Sequence, residues 1–196
     1  MKGWRLGSVL MAAYAVCSGA EPAQAPDPDL HAADRALAKQ LATELKTALT
    51  KALQVSPESA IGVCKTRAPQ IAAKISAENA VTIGRTSLRV RNPANAPSAW
   101  QREVLEEFQR RTDAGEVASA MEYSAVIEAD GYTAPRYMKA IVTEPLCVTC
   151  HGQQLSPAVK QAIAAKYPAD AATGFSVGDL RGAVYVVRHL REQPKK

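Results

Sequence analysis

Two thiols and an imidazole fall within five residues in EPLCVTCHGQ, positions 144–153, of a chain with four cysteines and three histidines in all. Chance would place only about 0.001 copies of Cys-x-x-Cys-His in a chain of this composition. Three chemistries use the spacing. Cys147 and Cys150 can add across the vinyl groups of a haem whose iron His151 ligates, they can form a redox dithiol, or they can supply half of a zinc site.

The dithiol reading needs a helix N-terminus behind the first cysteine and a βαβ scaffold, but Pro145 and Leu146 precede Cys147 and no parallel unit surrounds it. The zinc reading recruits Cys64 into a Cys₃His set with Cys147, Cys150 and His151; adjacent Cys150 and His151 are awkward partners on one small ion. Haem c needs nothing further from the sequence than export.

Export is written at the N-terminus. Lys2 and Arg5 precede an apolar run from Leu6 to Val16, followed by small residues and a Pro/Ala/Asp stretch. This order predicts a signal peptide over residues 1–20, a flexible linker over 21–28 and one folded domain over 29–190, with residues 191–196 as a disordered tail. Cys17, closing the apolar run, offers lipidation as a membrane tether. The expected location is the periplasm, where loose thiols tend to become disulfides. Cys64, Cys147 and Cys150 leave an odd number for that. Losing Lys2 and Arg5, with no acid among residues 1–20, takes the formal charge from +5 to +3, too weak for a nucleic-acid partner.

The elements that must position these groups read as helices first and sheet afterwards. Leu30, Leu37, Leu41, Leu45 and Ala48 recur at helical spacing from Asp29 to Leu53. Ser56-Pro57 opens a second helix, whose apolar face carries Ile61, Cys64, Ala68, Ile71 and Ile75. Val81–Val90 alternates as a strand, with Arg85, Arg89 and Arg91 as its wet face or as partners for anionic groups. Ser98 and Gln101 cap a third helix running to Gly115. Two β-rich runs, 117–129 and 132–143, flank Asp130-Gly131 as a hairpin. A short helix over 156–167 and a strand over 182–187 complete an α+β sandwich with helices on one side of an antiparallel sheet.

Four ordered stretches, AIGVCKTRAPQIA (60–72), IGRTSLRVRNPANAPSAW (83–100), PLCVTCHG (145–152) and YPADAATGFSVGDLRGA (167–183), resemble a family of exported single-haem c-type cytochromes first described in cyanobacteria and also found as haem modules of bacterial signalling proteins. The resemblance implies a PAS-like fold with a long N-terminal helix, one covalently attached haem c, His151 as proximal ligand and Cys64 as the opposite axial ligand. Met138 is the second choice for that position, and Arg85 and Arg89 are candidates for the haem propionates. His189, at the end of the last strand, is expected to face solvent.

The function so implied is electron transfer or redox sensing, with an unidentified redox or signalling protein as partner. A haem-based gas or redox sensor without a carrier role is the alternative, and a Cys₃His structural zinc protein the minor one. The sequence offers no distal acid/base pair for peroxidase turnover, so the protein is expected not to be an enzyme. No transmembrane or kinase segment follows the domain, which favours a stand-alone redox protein.

Overall fold

The computed structural model describes residues 28–129, 132–189 and 191–192. The expected leader, the linker before Pro28, the Asp130-Gly131 turn and residues 193–196 lie outside the described residues.

Helix α1, Pro28–Leu53, buries Ala38, Leu41 and Leu45 at three- and four-residue spacing. Helix α2, Pro57–Asn79, is started by Ser56, whose Oγ accepts from the Ser59 amide at 3.1 Å, with Pro57 in the first turn. It ends at Ala80, a non-glycine residue in the left-handed region at φ 51°. That reversal delivers the chain into strand β1, Val81–Thr86.

β1 stops four residues short of the expected Val90. Ser87 explains this: its Oγ donates to the Arg181 carbonyl at 2.8 Å and accepts from the Arg89 amide at 3.2 Å, a serine turn that takes the backbone out of the sheet. Helix α3, Ala99–Asp113, follows, its start closed by the Ser98 amide donating to Gln101 Oε1 at 2.9 Å. A 3₁₀ turn over Ala118–Ala120 replaces the expected start of the hairpin. The hairpin strands are β2, Glu122–Ala129, and β3, Tyr132–Val142. The short helices α4, Val148–His151, and α5, Pro157–Lys166, precede β4, Leu180–Arg188.

The strands pair antiparallel in the order β1-β4-β3-β2, so the last long strand is inserted between the first and the third. Arg191–Glu192 form a further short strand, β5, against Tyr132 and Thr133, which carries the sheet past the expected boundary at 190. His189 is exposed, as expected.

The α+β class holds, but the helices do not all lie on one side. Tyr137, Val184, Val186 and Ile83 pack with α1 and α2. Met138, Ala140 and Ala183, next along the same strands, pack with Leu105 and Phe108 of α3 on the opposite face. Both faces of β3 and β4 are covered, and their apolar alternation is correspondingly weak. The N-terminal half of α1 is fastened to the first face by charge: Arg188 of β4 meets Asp34 at 2.7 Å, and Arg35 meets Glu122 of β2 at 2.8 Å.

Candidate functional site

The Cys147–His151 segment is a single helical turn. The amides of Cys150 and His151 both donate to the Cys147 carbonyl, at 3.2 and 2.9 Å, and Gly152 closes on Val148 at 3.0 Å. A Cβ at Gly152 would lie 2.5 Å from the Val148 carbonyl oxygen, so only glycine permits this closure. The turn is pinned to the loop after α5, because the Phe175 amide donates to the His151 carbonyl and the Gly174 amide to that of Gly152, each at 2.9 Å. Four-residue spacing puts Cys147 and His151 on one side of the turn, with Cys150 beside them.

That side opens onto a cleft at the end of the sheet, on the α1/α2 face, with about 1010 Å³ of empty space counting its open mouth. Leu49 and Leu53 of α1, Ile141 of β3 and Leu146 give it apolar walls. Ala60, Ile61 and Cys64 come from α2, so a third thiol enters from a different element. Arg85, Arg91, Arg181 and Tyr167 also line it, beside Asn92 and Asn95.

His151 Nδ1 lies 2.6 Å from the Ala172 carbonyl. A carbonyl only accepts, so Nδ1 carries the proton and the Nε2 lone pair is left free. Burial, and then the charges of Arg181 and Arg91, push the imidazole pKa down to about 2, so the ring is neutral. Burial likewise pushes the Cys150 thiol up, against the pull of Arg91. Arg181 is lowered to about 10, first by burial and then by repulsion from Arg91 and Arg85.

The arginines outnumber their anions. Arg91 pairs with Asp170 at 3.0 Å. Arg85 has no carboxylate partner among the described residues, and Arg181 uses Nη1 on Ser87 Oγ and the Arg89 carbonyl while its Nε is buried without a partner. A buried guanidinium short of acceptors is a standing invitation to an anion.

Of the residues singled out from the sequence, Cys64, Cys147, Cys150, His151 and Arg85 meet in this cleft. Arg89 does not line it: its guanidinium donates to the carbonyls of Ala171 and Thr173 and lies 4.2 Å from the Phe175 ring centroid. Met138 is fully buried against α3 on the far face of the sheet, away from the cleft. The three thiols and His151 share a cleft, but among the described residues they form no cluster tight enough to hold a metal ion directly, which leaves the Cys₃His tetrahedron without its geometry. Arg181 is the charged cleft residue that the sequence pattern did not single out. Its signal was a lone cation inside the apolar strand sequence LRGAVYVV.

An α+β domain with a thiol-and-imidazole turn facing a third thiol across an arginine-lined cleft defines the class. The chain belongs to the Tll0287-like family, whose family model matches residues 23–188. Among solved structures it is similar to the cyanobacterial heme-protein Tll0287, at 27% identity and a TM-score of 0.51, over 65% of this chain and 73% of that one. No curated protein matches the chain.

Proposed function

We propose that this protein is a periplasmic single-haem c-type protein acting in electron transfer or redox sensing. Cys147 and Cys150 would carry the haem as thioethers, and His151 and Cys64 would ligate its iron. The observation that carries the reading is the convergence of Cys64 from α2 with the Cys147–His151 turn in one cleft where Arg85 and Arg181 have no carboxylate partner among the described residues. The donor set suits haem group by group. Cys147 and Cys150 would take the two vinyls, His151 and Cys64 from separate elements would ligate the iron, and Arg85 and Arg181 would pair with the propionates. The apolar walls from Leu49, Leu53, Ile61 and Ile141 suit a porphyrin face.

When bound, haem supplies a one-electron iron couple. The chain's own residues do the rest. The Ala172 carbonyl holds the His151 proton on Nδ1, so Nε2 is presented without reorganisation. Leu49, Leu53, Ile61 and Ile141 exclude water and lower the local dielectric. A Cys64 thiolate would bring a negative charge to the iron, which would favour the ferric form over the ferrous and lower the potential relative to histidine/methionine ligation.

Sensing is the second reading, and one observation favours it: Leu49 and Leu53 put the end of α1 directly in the cleft, so a change at Cys64 would be felt by the longest helix. Redox titration with electron spin resonance tests the ligand set. Cys64→Ala should raise the potential and alter the ferric low-spin signal, while an unchanged potential and signal would remove Cys64 from the iron.

A further inference from the structure

Arg91 lines the cleft beside His151 and also holds the backbone around it. It is 7% exposed, lies in the irregular segment after β1, and reaches across to the loop following α5. Its Nε donates to Asp170 Oδ1 at 3.0 Å and its Nη2 to Asp170 Oδ2 at 3.2 Å. The same Nη2 lies 2.6 Å from the Cys150 carbonyl and 3.3 Å from the Ala172 carbonyl, so its two protons are shared among three acceptors. Asp170 in turn accepts from the Ala172 amide at 3.0 Å.

These bonds enclose the imidazole. The Cys150 carbonyl belongs to the peptide that enters His151, and the Ala172 carbonyl is the acceptor for His151 Nδ1 at 2.6 Å. One guanidinium thus grips the backbone on which the ring is mounted and the acceptor that sets its rotation. It also shares that acceptor. A carbonyl oxygen that already receives a charged N–H gives up part of its electron density, so it draws less strongly on the Nδ1 proton. Less pull on that proton leaves the ring less imidazolate-like and a weaker donor through Nε2.

We propose that Arg91, held by Asp170, is the positioning residue for His151: it fixes the ring's orientation and moderates the Nδ1–H bond through the shared Ala172 carbonyl, and so raises the potential of the bound iron. This rests on the haem reading above. Nothing in it requires Arg91 to touch the haem.

The test uses the haem-loaded protein and two variants whose expected shifts have opposite sign. Arg91→Lys keeps the charge but has one head, which can hold Asp170 and cannot also reach both carbonyls. The freed Ala172 carbonyl then pulls harder on Nδ1–H, and the potential should fall by an amount equal to about a tenfold rise in the ferric-to-ferrous ratio at fixed ambient potential, about 59 mV for one electron. Asp170→Asn replaces one of the competing acceptor oxygens by an NH₂ donor and leaves the Arg91 charge unbalanced, so its potential should rise. Both should shift the low-spin electron spin resonance signal in the ferric state. Generic loosening of the loop would move both potentials in the same direction, and that result overturns the proposal. So do two wild-type potentials, or loss of covalent haem from both variants, which would leave Arg91 a structural role alone. A wild-type protein without covalent haem would instead overturn the functional reading, and this inference with it.

Discussion

Replacing Glu122 by glutamine should release the N-terminal half of α1 from the sheet by a predictable amount. Glu122 is the first residue of β2 and its side chain is 19% exposed. It accepts from Arg35 Nη2 at 2.8 Å and Nε at 3.1 Å, from Lys139 Nζ at 3.1 Å, and faces His31 Nε2 at 3.1 Å. These donors, Arg35 foremost, overcome the opposing effect of burial and draw its carboxyl from 4.5 down to about 2. That drop is worth at most about 3.4 kcal/mol at 1.36 kcal/mol per tenfold change. Arg35 is 53% exposed, so solvent screens the pair and about 1–2 kcal/mol is the expected share of stability.

The sign follows from the depressed pKa. The contribution is complete above pH 4.5 and disappears as the pH falls through about 2. Urea denaturation of wild type and Glu122→Gln should therefore give a gap of about 1–2 kcal/mol at pH 7 that narrows by pH 3. Taking the difference cancels the titration of other acids, Asp34 among them. A gap of the same size at both pH values, or none at pH 7, would show that the network does not hold α1 by charge.

Other substitutions test the packing and the cleft. Leu41→Ala, at a side chain 1% exposed between α1 and the sheet, should cost about 2–5 kcal/mol in denaturant unfolding. Gly152→Ala places a Cβ 2.5 Å from the Val148 carbonyl oxygen, so the Cys147–His151 turn must open; the yield of covalent haem, read by intact mass, should fall even where the fold survives. Arg181→Met removes a buried cation with an unpaired Nε from the cleft, and redox titration should show a lower potential than wild type because the ferric charge is then less opposed.

Much of the site was legible because its signals are local. The Cys-x-x-Cys-His spacing is contained in one turn, and the Ser56-Pro57 start fixes the phase of α2 so that Cys64 falls toward the core side. α1 and α3 carried their own periodicity, and α3 its Ser98/Gln101 cap. What could not be read depends on long-range pairing. GAVYVV is apolar in nearly every position, so it gave no sign of which neighbours β4 takes or that it would insert between β1 and β3. The same continuity hid the second helical layer, since Tyr137 and Met138 are both fully buried on opposite faces of β3. Arg89 and Arg91 looked alike in sequence. Only the Ser87 turn decides that one stacks on Phe175 and the other reaches Asp170.

The central claim is that Cys147 and Cys150 bind haem covalently beside a His151 ligand. The direct measurement is intact mass together with the absorption spectrum of protein exported in cells equipped for haem attachment, before and after acid–solvent extraction. The account predicts a chain heavier by one haem that keeps its colour through extraction, and a Cys147→Ser/Cys150→Ser double variant that does not. A colourless product, a zinc-containing one, or covalent haem retained by the double variant would contradict it.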